Sequence, residues 1–262
     1  MTSASQIRTQ IETVLGNRIP GALTPRPQTV RPVTSLGIAS IDGALNGGLP
    51  AGAVTEVVGE ESSGRTSLAL SFAARMTQAG KVCAWIDVAD ALDPESAAAT
   101  GVDLRRLLWV RCRTSNEHVS STSPRSEEMC QALKVADLLL QSGGFSLITL
   151  DMGSVLPEYV LRVPLSTWFR YRAAAERTQT SFLLLTQKSC AKSSSNMILK
   201  LRAREMNESQ RSISFFTGLN TDIEVIRERF TPSPASIPGL KKQPHSYEAV
   251  NWYRRTTWSG RR

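Results

Sequence analysis

Residues 59–66 have the residue types and the spacing of a loop that binds phosphate. Two glycines, Gly59 and Gly64, enclose four residues, and a basic residue and a threonine follow them. The loop stands between an apolar strand and an apolar helix, so backbone N–H groups and the helix N-terminus can converge on an anion. The sequence therefore predicts a nucleotide site that contains Gly59, Glu60, Glu61, Ser62, Ser63, Gly64, Arg65, Thr66 and Ser67.

Position 65 departs from the usual pattern of such loops. They carry a lysine, which reaches the β- and γ-phosphates as a compact charge, whereas Arg65 is longer, planar and more demanding of space. Since the positive charge is retained, the substitution predicts weakened nucleotide binding rather than its loss. The geometry for catalysis is expected to suffer.

Two oxygen ligands for Mg²⁺ are predicted on neighbouring elements. The hydroxyl of Thr66 stands at the start of the helix that follows the loop, and Asp151 ends the apolar segment SLITL. A simple turn residue is the structural alternative for Asp151, but the phosphate loop favours the metal role. ATP and Mg²⁺ are thus the expected cofactors, both weakly bound.

Apolar strands alternate with helices from about Val33 onward. Continuous apolar segments of this kind indicate an α/β fold, in which helices cover both faces of a mainly parallel twisted sheet. Later segments alternate more strongly between apolar and polar residues, which predicts antiparallel edge strands from about Met197. The aromatic residues Trp168, Phe169 and Tyr171 fall on a predicted helix, where core packing is the preferred interpretation over base stacking.

The composition divides the chain into three predicted regions. Residues 1–33 combine an oligomerisation helix with a Pro-rich linker, residues 34–230 form the nucleotide-binding core, and residues 231–262 form a basic, flexible tail. The apolar stripe of the first helix can dock on its own domain or on a neighbouring subunit; it consists of Ile7, Ile11, Val14 and Leu15. In the tail, Trp252 and Trp258 favour a protein partner, because tryptophan is common at interfaces.

The overall charge and the absence of a leader narrow the class of protein. A net charge of +8 and a pI near 9.7 favour acidic partners, either nucleic acid or an acidic protein surface. Four separated cysteines and two histidines give no zinc-ligand spacing. No signal peptide and no apolar run of membrane-spanning length are present, so a cytoplasmic protein without membrane contact is expected.

The segments GGLPAGAVTEVVGEESSGRTSLAL and AWIDVADALDPESAAATGVDLRRLLWV resemble the ATP-binding core of the bacterial RecA recombinase family. The resemblance runs from about Thr34 to Pro232 and implies a RecA-like P-loop NTPase core. It places Asp151 in the second nucleotide motif and Asp93 against adenine. It makes Gln187 a γ-phosphate sensor that leads into a DNA-binding loop.

The same resemblance implies contacts outside the nucleotide's own subunit. In the segment IRERF, Arg227 and Arg229 match two basic residues that reach across a filament interface to the neighbour's ATP. In the loop after Gln187, Lys188 and Lys192 stand among serines and are candidates for contact with DNA phosphates. A solvated loop is the alternative interpretation of these two lysines.

Several departures from the family pattern weaken the case for hydrolysis. Ala89 stands where the family has its water-activating glutamate, and alanine can neither accept a proton nor orient water. Asp87 or Asp90 could substitute for it. Ser96 replaces the aromatic platform for adenine, and both DNA-binding loops are short.

These features are similar to a divergent branch, the RecA-like accessory proteins of mutagenesis cassettes (ImuA type). That branch implies an accessory of error-prone translesion DNA synthesis. The departures at Arg65 and Ala89 predict little or no ATPase activity, and the basic loops and tail predict weak, non-specific binding of single-stranded DNA. Its implied partners are a Y-family polymerase homologue or an error-prone polymerase, and copies of itself or of a RecA-type subunit. The alternatives are an ATP-dependent recombinase and a regulator that binds recombinase filaments.

Overall fold

An eight-stranded sheet forms the centre of the protein. The computed structural model describes Gln6 and residues 30–112, 124–203, 218–229, 231–232 and 250–255. The main sheet has the strand order β12-β10-β9-β4-β8-β7-β5-β6. Its strands are β4 (Val54–Gly59), β5 (Cys83–Asp87), β6 (Leu107–Arg111), β7 (Leu147–Asp151), β8 (Ser181–Thr186), β9 (Met197–Ala203), β10 (Gly218–Glu228) and β12 (Val250–Arg255). Two short pairs accompany it, formed by β1 (Val30–Arg31) with β11 (Thr231–Pro232) and by β2 (Val33–Thr34) with β3 (Leu49–Pro50).

Helices connect the strands and cover the sheet. The described α-helices are α1 (Ala39–Ala44), α2 (Arg65–Gln78), α3 (Pro94–Ala99), α4 (Pro124–Ser142), α5 (Pro157–Leu161) and α6 (Leu165–Thr178). Two 3₁₀ turns lie at Leu104–Arg106 and Lys192–Ser194. Strand β4 leads directly through the predicted phosphate loop into α2, which is the strand–loop–helix order that the sequence predicts.

The strand directions confirm the predicted α/β fold. The six strands from β9 to β6 are parallel to their neighbours within that group. Strand β10 pairs antiparallel with both β9 and β12. Strand β12 lies within the region that the sequence assigns to a flexible tail, and its backbone pairs with β10 from Gly218 to Ile223.

Two apolar cores explain why the strands are continuous apolar segments in the sequence. On one face, the side chains of α2 pack with those of the strands, including Leu68, Phe72 and Trp85. The other face packs against α4 and α6, and includes Leu140, Trp168 and others. Because each central strand is buried on both sides, both of its faces require apolar residues.

The end of the predicted linker is fixed to the core. The buried side chain of Arg31 donates hydrogen bonds to the carbonyl of Gly52 and to the carboxylate of Glu176. The apolar stripe of the first helix and Trp258 lie outside the described residues, so their predicted roles stay predictions. Among the described residues, no helix is long and apolar enough to span a membrane.

Candidate functional site

The predicted phosphate loop closes tightly onto the sheet. Gly64 adopts a left-handed conformation, with φ of 89°, and caps α2. A Cβ atom at this position would stand 2.8 Å from Oγ1 of Thr221 on β10, so both the backbone angle and the space require glycine. Ser63 is buried, and its hydroxyl has no hydrogen-bond partner among the described residues. Glu60, Glu61 and Ser62 are exposed.

The end of the phosphate loop can offer hydrogen-bond donors to an anion. The first N–H groups of α2 have no acceptor within the helix, as at every helix N-terminus. Thr66 is exposed in this first turn, and Ser67 beside it is half-buried. A buried, unpartnered Ser63 hydroxyl adds a further polar group under the loop. These features fit a phosphate group.

Arg65 points into the protein. Its side chain is 8% exposed, and Nη2 donates a hydrogen bond to the carbonyl of Gly153 at 3.2 Å. Nη1 is buried and has no partner in the described part of the chain. Burial lowers the pKa of Arg65, and the negative charges of Asp151 and Glu61 oppose this effect. The guanidinium thus links the phosphate loop to the loop after β7.

Asp151 lies at the other end of this link. Its Oδ1 accepts a hydrogen bond from the N–H of Gly153 at 3.0 Å. Burial raises the pKa of Asp151 to about 6, and the charge of Asp87 adds to the rise, while the hydrogen bond from Gly153 and the charge of Arg65 oppose it. Mg²⁺ prefers oxygen ligands and keeps several waters, and the role of Thr66 and Asp151 as its ligands stays a prediction. No cluster of three or more His, Cys, Asp or Glu residues suited to a metal occurs among the described residues.

Gln187 joins the same cluster. Its Nε2 donates to the carbonyl of Gly153 at 3.1 Å, the acceptor that Arg65 also uses. A single carbonyl therefore connects the phosphate loop, the end of β7 and the end of β8. The structure brings these three predicted residues together, with Gly153 as a junction that the motif spacing does not indicate.

The two acids near Ala89 are already engaged. The buried carboxylate of Asp87 accepts hydrogen bonds from the N–H groups of Ala91 and Leu92, at 3.0 and 2.8 Å, and from the indole of Trp109 at 3.2 Å. Asp90 accepts two hydrogen bonds from the guanidinium of Arg111, at 2.5 and 2.6 Å. Ala89 itself is exposed. Neither acid is placed as a free base beside it.

Asp93 begins α3 and caps it. Its carboxylate accepts from the N–H of Glu95 at 3.3 Å, and from the N–H and hydroxyl of Ser96 at 2.9 and 2.5 Å. These bonds, those from Ser96 above all, lower the pKa of Asp93. The side chain is exposed, and its predicted contact with adenine stays a prediction.

The two arginines that the resemblance assigns to a neighbour's ATP form hydrogen bonds with the loop after β8. Arg227 donates to the carbonyl of Lys192, and Arg229 donates to the carbonyl of Ser193 at 3.0 Å. Both contacts are within one chain. The side chains of Lys188 and Lys192 are exposed on the same loop.

A buried acid that the motifs do not reveal fixes the start of this loop. Glu56, on β4, is fully buried and accepts from the N–H of Cys190 at 2.7 Å and from the hydroxyl of Ser189 at 3.2 Å. The strand before the phosphate loop thus holds the loop after Gln187. A glutamate within the apolar segment VTEVVG is the sequence signal that points to such a role, because a buried acid needs hydrogen-bond partners.

Comparisons with known proteins find relatives of this chain. Residues 5–161 match the family described as the RecA N-terminal domain. Protein RecA from Salinispora arenicola is 38% identical over 148 residues, which cover 56% of this chain and 38% of that protein. Protein RecA from Deinococcus radiodurans is 34% identical over 170 residues, which cover 59% and 43%. The chain therefore spans about two fifths of the length of the curated relatives it matches.

Proposed function

Because the chain belongs to the RecA family, we propose that it is a RecA-type DNA-repair protein that acts as an accessory of error-prone translesion synthesis. It binds DNA weakly and nucleotide poorly, and it supports a Y-family polymerase homologue or an error-prone polymerase. The observation that carries this proposal is the lack of a catalytic general base at position 89. Ala89 is exposed, and the nearby carboxylates of Asp87 and Asp90 are both occupied by hydrogen bonds.

The proposed nucleotide site uses the loop and its neighbours. The N–H groups around Gly64 and the start of α2 bind the phosphates, Thr66 and Asp151 hold Mg²⁺, and Asp93 contacts the adenine. When bound, the metal would screen the phosphate charge. Arg65 must share its guanidinium between phosphate and the Gly153 carbonyl, which supports weak binding.

The two alternatives are less favoured. An ATP-driven recombinase needs a group that activates water, and the two acids nearest to Ala89 in the sequence, Asp87 and Asp90, both accept hydrogen bonds. A regulator of recombinase filaments would share the fold but would not depend on a polymerase. The lack of a catalytic general base is the feature that separates the recombinase from our proposal.

A genetic experiment tests the proposed function. In a strain that lacks this protein, we expect damage-induced mutation frequency to fall, while homologous recombination stays at the wild-type level. Loss of the polymerase partner should produce the same fall, and loss of both should add nothing further. A fall in recombination with unchanged mutation frequency would support the recombinase instead.

We also propose that the chain assembles head to tail with copies of itself or with a RecA-type subunit. The proposed regions are residues 1–33 for docking, residues 34–230 for the core and residues 231–262 for the basic tail. The apolar stripe of the first helix supports docking on a neighbour, within the reach of its linker. Arg227 and Arg229 then face the adjoining subunit.

Deleting residues 1–20 should abolish this assembly. We expect the wild type to form species larger than a monomer in light scattering at micromolar concentration with nucleotide and single-stranded DNA, and the truncated chain to remain monomeric. A variant that carries Ile7→Asp and Ile11→Asp in the full chain controls for loss of length. If the wild type is also monomeric under every condition, the first helix packs within its own subunit.

A further inference from the structure

The side chain of Arg65 crosses the carboxyl edge of the central strands. In the sheet, β8 separates β4, which leads into the phosphate loop, from β7, which ends at Asp151. The guanidinium of Arg65 reaches over this gap to the carbonyl of Gly153, to which Gln187 from the end of β8 also donates. A fixed positive charge therefore lies between the two elements that carry the predicted ligands of Mg²⁺.

The guanidinium and the carboxylate of Asp151 approach each other beside Gly153. A Cβ atom on this glycine would lie 3.1 Å from Oδ1 of Asp151 and 3.4 Å from Nη2 of Arg65, so both groups border the space that a glycine leaves open. Charges in such a buried place are screened far less than in water. The guanidinium therefore balances part of the negative charge that a metal ion would otherwise balance.

Arg65 also keeps a buried donor for a ligand. Its side chain is 8% exposed, and Nη1 has no hydrogen-bond partner in the described part of the chain. A buried N–H of a charged group is unfavourable until an acceptor completes it. A phosphate oxygen on the loop that Arg65 itself ends is such an acceptor, and Nη2 can stay on Gly153 meanwhile.

We propose that the guanidinium of Arg65 takes the place of Mg²⁺ beside the bound phosphates, so that this chain binds nucleotide without a metal ion. A guanidinium presents several N–H donors in one plane and carries a permanent positive charge. Arg65 thus selects the free nucleotide over its Mg²⁺ complex. The inference rests on the nucleotide site of the proposed function, and it leaves Thr66 and Asp151 a minor part in affinity.

Charge and hydration both favour the guanidinium over the ion. A divalent cation between Thr66 and Asp151 would stand close to the fixed charge of Arg65, and like charges repel strongly where screening is weak. Mg²⁺ also gives up its waters reluctantly. The guanidinium, in contrast, is already removed from water and held by the Gly153 carbonyl.

The effect of Mg²⁺ on nucleotide affinity tests the role of Arg65. ATP that carries a fluorescent N-methylanthraniloyl group is titrated with the full chain by anisotropy, once with excess Mg²⁺ and once with EDTA. We expect the two wild-type Kd values to agree within about twofold. Arg65→Lys should bind about tenfold more tightly with Mg²⁺ than with EDTA, because the compact ammonium leaves the space beside Asp151 to the ion.

Two further variants separate the position of the guanidinium from its charge. Arg75→Lys is the matched control, because Arg75 is exposed near the end of the same helix, and both wild-type affinities should be kept. Gly153→Ala changes no charge, but its Cβ presses on Asp151 and on the guanidinium of Arg65. We expect this variant to lose more affinity in EDTA than in Mg²⁺, with the far-UV circular dichroism of the wild type.

The comparison of the wild type with Arg65→Lys decides the proposal. A smaller loss of affinity in EDTA for the wild type than for the lysine variant supports it, and an equal or larger loss overturns it. A wild type that binds no nucleotide in either condition also overturns it, because the guanidinium would then block the site. The mutation frequencies that test the proposed function do not depend on these results, so the two proposals can fail separately.

Discussion

The double variant Arg65→Lys, Ala89→Glu is expected to hydrolyse ATP about 10²–10⁴-fold faster than the wild type, whose turnover should be close to background. General-base catalysis contributes a factor of this size, and the wild type has no free acid at the position. Lysine at position 65 would replace a guanidinium that is bound to Gly153. Phosphate release with Mg²⁺, with and without single-stranded DNA, measures the effect.

The two single variants separate the contributions of the two substitutions to the rise in ATP hydrolysis. Ala89→Glu alone supplies the base but leaves Arg65 on the Gly153 carbonyl, so we expect a smaller rise. Arg65→Lys alone should tighten nucleotide binding without restoring turnover. Robust wild-type hydrolysis that disappears in Asp90→Asn would contradict the prediction, because Asp90 would then be the base despite its pairing with Arg111.

The Gly153 junction explains why position 65 matters beyond phosphate affinity. Arg65 and Gln187 donate to the same carbonyl, and the N–H of the same residue donates to Asp151. A ligand that attracts either side chain must weaken its bond to that carbonyl. Nucleotide binding and the position of the loop after Gln187 are therefore expected to depend on one another.

The parts of the site that sequence predicts are those fixed by local pattern. The phosphate loop is defined by two glycines between a strand and a helix, and Gly64 has the left-handed backbone that its position requires. Asp151 ends β7 as the apolar run indicates. The parallel core and the antiparallel edge also follow from periodicity within single segments, although β9, which begins at Met197, pairs parallel with β4 and only the strands beyond it are wholly antiparallel.

The rest depends on contacts between distant segments. Arg227 could not be placed from sequence, because its acceptor lies 35 residues away and on a loop whose path is set by a buried Glu56. From sequence alone Asp87 and Asp90 are both candidates for the catalytic base, and only the fold supplies the hydrogen-bond donors that each of them uses. Strand β12 falls in a polar, basic segment, and only its pairing with β10 reveals it.

Neighbouring residues on α6 offer the clearest test of the core, and Trp168→Ala should destabilise the protein by about 3–5 kcal/mol. Trp168 is 1% exposed, and its ring meets that of Tyr171 edge to face at 5.9 Å. Tyr171 in turn meets Phe182 on β8 at 5.6 Å and donates its hydroxyl to the carbonyl of Leu133 on α4. Removing the indole leaves a cavity where α6 packs on the sheet.

Phe169→Ala is the matched control on the same helix. Phe169 is 43% exposed, so its loss should lower the free energy of unfolding by less than about 1 kcal/mol. Urea unfolding followed by circular dichroism measures the stability of both variants. Equal slopes of unfolding free energy against urea concentration would show that the unfolded states are comparable. The sequence favours core packing over base stacking for all three aromatics of this helix; Trp168 and Tyr171 are buried as predicted, whereas Phe169 is exposed. If both variants lost the same unfolding free energy, α6 would not pack on the sheet through the face that carries Trp168.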